Sequence, residues 1–226
     1  EAPYNLLIPR SACPYCHHPI AWYENIPVLS WLVLQGKCSD CGKAISIRYP
    51  LVEMLTGALF GYAAWRWGVS LQTVFMFGLL GSLIALGFID LDTQLLPDNI
   101  TLPLLWVGLL INLNAVFCPL DEAVIGAVTG YLSLWSVYHL FKLLTGKEGM
   151  GFGDFKLLAA LGAWLGWKMV LPIVLAASFA GALAGIVLIV FAGRDRAKPM
   201  PFGPWLVLGG LLALFWGESL VHLWLG

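Results

Sequence analysis

Two aspartates hold the residue types and positions that could do chemistry, since each stands where a long apolar segment meets the same face of a membrane. Asp90 ends the apolar run of residues 70–89, and Asp154 follows Gly-Met-Gly-Phe-Gly and opens the run of residues 155–167. A carboxylate at membrane depth is costly and marks a functional site by default. Two carboxyls that converge cannot both ionise easily, so one keeps its proton while the other acts as base toward a shared water. The protonated partner then polarises a scissile carbonyl. This is acid/base peptide hydrolysis of the aspartic-protease kind, and it needs no nucleophilic serine or cysteine. No convincing triad accompanies the aspartates on that face.

The segments around each aspartate narrow the choice. Asp90-Leu-Asp-Thr-Gln-Leu-Leu-Pro-Asp98 carries three carboxylates. Asp90 directly continues a membrane helix and is the candidate catalytic residue, whereas Asp92 reads as a solvated loop residue. Asp98, after Pro97, reads equally as a helix cap and as a catalytic group. Around Asp154, a flexible loop ending in a helix cap is one reading. The other gives Gly149, Gly151 and Gly153 a role through unusual backbone angles and close backbone approach, since irregular backbone at membrane depth survives only where it is buried or lines a cavity. A phosphate cradle is disfavoured, because no strand precedes the loop and no Gly-Lys-Ser/Thr ending follows it.

A second cluster lies near the start of the chain. Cys13-Pro-Tyr-Cys16 and Cys38-Ser-Asp-Cys41 are two CxxC knuckles separated by twenty-one residues, and Ile20 and Ile45 each follow four positions later. Four thiolates from two tight turns make a pseudo-symmetric zinc ribbon that closes a tetrahedral, structural site with no open position. Cytosolic placement argues against two disulfides. His17 and His18 are expected to be solvated neighbours, and Cys118, alone in the apolar part, a packing residue. Trp22, Tyr23, Pro27, Trp31 and the stretch 28–34 could either rest on the membrane interface or pack within the ribbon.

The elements that must position these groups are membrane helices. Hydrophobic residues make up 60% of the chain and charged residues 11%, with a mean hydropathy of +0.84; a soluble globule carries about 25% charged residues. The expected fold is an all-α polytopic bundle of about seven transmembrane helices (residues 51–67, 70–89, 100–118, 123–144, 155–167, 169–191 and 202–225) behind a small N-terminal zinc-ribbon module. The expected domains are 1–50 for the module and 51–226 for the membrane part. Residues 155–167 form the short span, about 20 Å against a hydrocarbon core of about 30 Å, which sets Asp154 below the surface. No basic n-region or apolar h-region precedes the cysteines, so no cleavable signal peptide is expected.

Alternating the spans puts Arg10, Lys37, Lys43, Arg48, Lys142, Lys147, Lys156, Arg194, Arg196 and Lys198 on one side, and only Arg66 and Lys168 on the other. By the positive-inside rule the rich side is cytosolic. The cysteine module, both aspartates and the loop 193–200 all fall there.

Taken together, these motifs resemble the bacterial type IV prepilin peptidase family, membrane aspartic proteases with a Gly-x-Gly-Asp motif. The resemblance rests on the four cysteines, Arg48-Tyr-Pro-Leu-Val-Glu53, Ile89-Asp-Leu-Asp with Leu96-Pro-Asp98, and Gly149-Met-Gly-Phe-Gly-Asp-Phe-Lys156, in that order. It implies Asp90 and Asp154 as the catalytic pair and Cys13, Cys16, Cys38 and Cys41 as zinc ligands. It also implies an inner-membrane enzyme whose substrates are prepilins and pseudopilins of type IV pilus or type II secretion systems. Their basic leader is cut at the cytosolic face, and the new amino terminus is methylated from S-adenosylmethionine at a site assigned here to no residue. Glu24, Asp40 and Glu53 are the acidic groups nearest in sequence to read a basic leader, with surface solvation the favoured role for Glu24 and Asp40. Such proteins usually carry a further hydrophobic helix ahead of the cysteines; here about a dozen residues precede Cys13. Nucleic acid is not an expected partner. Two rival classes are a zinc-ribbon-bearing transporter and a lipid-head-group transferase using Asp90 and Asp92 as metal ligands.

Overall fold

A computed structural model describes residues 11–147, 149–192 and 200–225. Arg10 and all of the loop 193–200 except Met200 lie outside the described residues, as do the side chains of Glu218 and His222. The chain divides into two compact units, residues 1–68 and 69–226. Among the described residues the regular structure is helical, with two isolated β-bridges in the first unit.

The first unit repeats its own local geometry. Cys13 N–H donates to His18 O at 3.0 Å and Cys38 N–H to Lys43 O at 2.8 Å; Ile20 N–H donates to Ser11 O at 2.9 Å and Ile45 N–H to Gly36 O at 2.7 Å. The bridges Ala12–Pro19 and Lys37–Ala44 close the two hairpins. His17 and Gly42, each directly after its knuckle, both take positive φ, 57° and 66°. Between the knuckles lie a 3-10 turn, Trp22–Asn25, and the short helix α1, Leu29–Val33. Trp31 packs inward, its Nε1–H donating to Ile45 O, whereas Trp22, Tyr23, Leu29, Leu32 and Val33 are exposed. Hydrogen bonds with Ser39 and the Ala21 N–H hold the Glu24 carboxyl below the usual carboxylate range. Helix α2, Arg48–Trp67, completes the unit and ends at Gly68, whose φ of 65° suits a residue without a side chain.

The second unit is a bundle of α3 (Leu71–Thr93), α4 (Asp98–Ile111), α5 (Leu120–Thr145), α6 (Phe152–Leu165), α7 (Val170–Ala192) and α8 (Gly203–Leu225). Its centre is α6, buried continuously from Phe155 to Ala160 except at Lys156, and on through Leu161, Gly162, Ala163 and Trp164. Helices α4, α5 and α8 pack against α6, while α3 and α7 pack against α8. The closest approach is between α5 and α6. A Cβ on Gly126 would collide with the Gly162 carbonyl, one on Gly162 with the Gly126 carbonyl, and one on Gly130 would lie 2.7 Å from Leu158 O. Gly126-Ala-Val-Thr-Gly130 is thus a small-xxx-small contact of the sort that joins helices in lipid, where close backbone packing replaces the hydrophobic drive.

The molecule is a membrane protein. Residues Leu71–Thr93, Leu120–Thr145 and Trp167–Phe191 are helices long and apolar enough to cross a bilayer. Their outer faces are apolar too: Val128, Leu132, Phe179, Leu183 and Ile186 are all exposed, the inverse of a soluble globule. All seven apolar segments are helical over most of their length, and among the described residues these three meet the length and composition of a full span. The expected span 100–118 stops at Ile111, because Asn112 turns the chain into a 3-10 turn, Asn112–Asn114. At 14 residues each, α4 and α6 rise only about 21 Å. Helix α8 is bent at Trp216, where φ is −127°.

Candidate active site

Helix α3 delivers Asp90 to the site from its last turn, which closes on Gln94 with φ of 56° and Gln94 N–H donating to Asp90 O. The side chain is 5% exposed. Its Oδ2 accepts the backbone N–H of Gly203 at 3.0 Å, and Gly203 is the first residue of α8. That N–H belongs to the first helical turn, which has no intrahelical acceptor.

Asp154 comes from the start of α6 and is 6% exposed. The helix begins at Phe152, three residues before the expected apolar run, so Asp154 is held inside the first turn rather than ahead of it. Its Oδ2 accepts the N–H of Gly151, the N-cap residue, at 3.3 Å. This is the returning half of a capping box. The expected capping role is therefore real, yet one carboxylate oxygen suffices for it.

Both aspartates line one cavity of about 420 Å³, together with Gln94, Leu96, Asp98, Gly149–Gly153, Lys156 and Met200–Phe202. The ends of α3 and α5 and the beginnings of α4, α6 and α8 meet at this end of the bundle. Two buried carboxyls lining one water-accessible cavity are equipped for general acid/base chemistry.

Asp98 is not the N-cap of α4. Pro97 occupies that position, and Asp98 is the first helical residue. Its two oxygens both accept from Lys156 Nζ at 2.7 Å, in an ion pair at the exposed rim of the cavity. Asp92 is exposed on the last turn of α3 and does not line the cavity. Two residues along a helix is about 200° around it, so Asp90 and Asp92 point apart and cannot jointly hold a metal from one face. Among the acidic groups near the cysteines, Glu53 Oε2 accepts from Val28 N–H at 2.7 Å, and Glu24 faces His18 at 3.7 Å. Both are tied into the fold of the first unit.

The glycines of the loop work differently from the sequence expectation. Gly149, Gly151 and Gly153 do not take positive φ; among the described residues of this loop Gly146 does, at 70°. Close approach is what matters. A Cβ on Gly149 would lie 2.9 Å from Phe141 Cδ1, and one on Gly153 would lie 2.7 Å from Leu96 Cβ. Gly151 is uncrowded, with its nearest contact at 3.9 Å.

Asn112 carried no functional signal in the sequence, yet it fixes the depth of α6 from the far end. Fully buried, its Nδ2 donates to Ala163 O at 2.9 Å and Trp164 O at 3.1 Å, while its Oδ1 accepts from Phe117 and Cys118 N–H at 3.0 and 3.2 Å. The last carbonyls of a helix that stops short inside the bundle are thereby satisfied. Cys118 packs beside it, as expected, and Trp164 donates to Leu104 O at 2.8 Å.

The four N-terminal cysteines converge. Their sulfurs all lie within 4.8 Å of one another, with Cys13–Cys41 at 3.8 Å and Cys16–Cys38 at 3.9 Å. These separations exclude disulfides, which need about 2.05 Å. They match a tetrahedral zinc ion, whose sulfurs at about 2.3 Å from the metal stand about 3.8 Å apart. The group could hold one metal ion, and neither His17 nor His18 belongs to it.

Comparison with known proteins gives concordant matches. Residues 76–186 match the type IV leader peptidase family, and residues 1–67 match the bacterial peptidase A24 N-terminal domain. The chain is 56% identical over 225 residues to a prepilin leader peptidase/N-methyltransferase of Aeromonas hydrophila, covering 100% of this chain and 78% of that protein. It is 52% identical to the protein of the same description from Pseudomonas aeruginosa, with the same coverage. For the Dichelobacter nodosus protein so described the identity is 54%, over 97% of this chain and 76% of the relative. No solved structure matches.

Proposed function

Because the chain belongs to the type IV leader peptidase family, we propose that Asp90 and Asp154 are its catalytic dyad and that its substrates are type IV prepilins and pseudopilins. The chain is a prepilin leader peptidase by that membership. The observation that carries the dyad is the single cavity onto which both buried carboxyls open, each with one oxygen already engaged by a backbone N–H.

The chemistry follows from that arrangement. One carboxylate takes a proton from a water between the pair, and the oxygen of that water attacks the scissile carbonyl. The protonated partner donates to the carbonyl oxygen as charge develops there, and the proton then passes to the leaving amine. A peptide must be extended to enter, and the uncrowded Gly151 leaves room for its backbone along the cavity wall. The apolar segment of the substrate stays in the bilayer while its basic leader remains in the aqueous layer. The exposed rim pair Asp98–Lys156 is a charged feature at the cavity that a basic leader can meet.

In this reading the enzyme sits in the bacterial inner membrane, with the dyad and the cysteine module on the cytosolic side. The lysine- and arginine-rich segments support that orientation through the positive-inside rule. The cysteine site binds zinc, held by Cys13, Cys16, Cys38 and Cys41, and its closed ligand set gives it a structural role. Methylation of the new amino terminus, with S-adenosylmethionine as co-substrate, rests on similarity to the named relatives. The metal-dependent transferase reading is disfavoured by the divergence of Asp90 and Asp92.

The test is cleavage of a prepilin by the purified chain in detergent with chelator present. A shortened product at an undiminished initial rate supports metal-free acid/base hydrolysis. Immediate and complete loss of cleavage on chelation contradicts it.

A further inference from the structure

We propose that Gly203 is a positioning residue for the dyad: its backbone N–H aims Asp90, and its missing side chain is what allows the carboxylate to sit there. The inference rests on the reading of Asp90 and Asp154 as the catalytic pair.

The hydrogen bond from Gly203 to Asp90 Oδ2 spans 113 residues and is buried. It therefore ties α8 to the end of α3 at the site itself. The donor is a first-turn N–H, so the positive end of the α8 dipole also points at the carboxylate. With Oδ2 held, Oδ1 is the oxygen left for water.

Backbone angle does not explain the glycine, because Gly203 has no positive φ. Space does. A Cβ at this position would lie 2.6 Å from Asp90 Oδ2 and 3.0 Å from Asp90 Cγ, so any side chain must move the carboxyl group or the start of α8. Pro204, next in the chain, has its φ fixed by its ring and stiffens that start.

Leu96 adds the second constraint. Its Cδ1 lies 3.2 Å from the site of a Gly203 Cβ and 3.3 Å from that of a Gly153 Cβ. One leucine thus rests on two glycines: Gly203, which holds Asp90, and Gly153, which precedes Asp154. Leu96 sets the gap between the two halves of the site, and the Gly203 N–H sets the direction of one carboxylate within it.

The experiment uses the purified full chain and a prepilin substrate. Gly203→Ala should lower kcat about 100-fold, the scale on which a misplacement of about 1 Å acts. KM should stay within about 2-fold, with the thermal midpoint and zinc content unchanged. Gly203→Ala combined with Leu96→Ala should remain as slow, because room made at Leu96 does not restore the carboxylate. Wild-type kcat in Gly203→Ala overturns the proposal, and so does recovery on adding Leu96→Ala, which would make Leu96 the only crowded partner. A measurement independent of the folding of Gly203→Ala is the amide proton of Gly203 in 15N-glycine-labelled protein. That resonance should shift when Asp90 is changed to Asn, and an unmoved resonance overturns the hydrogen bond. If Asp90→Asn and Asp154→Asn both still cleave, the dyad itself fails. If both are dead while Gly203→Ala cleaves normally, the dyad stands and only the positioning role is lost.

Discussion

Replacing Asn112 with Leu, which keeps the number and branching of side-chain heavy atoms and removes the amide, should destabilise the bundle by about 3–5 kcal/mol. Four hydrogen bonds to backbone groups disappear at once: two to the carbonyls of Ala163 and Trp164 and two from the N–H groups of Phe117 and Cys118. At about 0.6 kcal/mol each, the average for side-chain hydrogen bonds in a membrane interior, the four amount to about 2.4 kcal/mol. Orphaning buried backbone groups costs about 1–3 kcal/mol apiece, and α6 can relieve only some of them by shifting. The expected loss falls between these limits. Because α6 carries Asp154 at its other end, a shift along the helix axis also degrades the site, so cleavage should fall in protein that still folds. Unfolding in mixed micelles by SDS titration gives the stability, and prepilin cleavage gives the activity. A loss below about 1 kcal/mol would refute the reasoning that Asn112 satisfies the end of α6.

Three further perturbations bear on the rest of the structure. Zinc analysis should find one ion per chain, lost in Cys38→Ser, and thiol-specific reagents should reach the knuckle sulfurs only after metal removal; native protein purified without chelator and free of zinc contradicts the ribbon. Gly126→Ala should lower the unfolding midpoint sharply by driving a methyl group into the Gly162 carbonyl, while Gly61→Ala, with open space around it, should leave the midpoint unchanged; equal effects would remove the close α5–α6 approach. Lys156→Met should leave the fold intact, since the pair is at the rim and exposed pairs contribute about 0–1 kcal/mol. It should, however, change cleavage of substrates with a basic leader more than of those with a neutralised one; identical ratios would remove the rim pair from leader recognition.

Much of this arrangement was legible in the chain. Asp90 and Asp154 stand out because a carboxylate at the end of an apolar run has few bland explanations, and the two CxxC turns predict a sulfur cluster because spacing alone brings the thiols together. What was not legible depends on backbone groups and on partners distant in sequence. The hold of Gly203 on Asp90 is a main-chain N–H, invisible as a residue type. Asn112 sits inside an otherwise apolar stretch, so hydropathy carries the span through to residue 118 when the helix in fact ends at Ile111. Lys156 reads as one more positive charge until the fold sets it against Asp98. The loop glycines look like a need for unusual angles, whereas Gly149 and Gly153 leave space for the side chains of Phe141 and Leu96.

The most direct test of the dyad is prepilin cleavage by Asp90→Asn and Asp154→Asn, each purified in detergent and matched to wild type for thermal midpoint and zinc content. Two buried carboxyls sharing one cavity predict that each change alone abolishes cleavage, because an amide can neither take the proton from water nor donate an acidic one to the carbonyl. Cleavage at the wild-type rate by either folded variant would contradict the account.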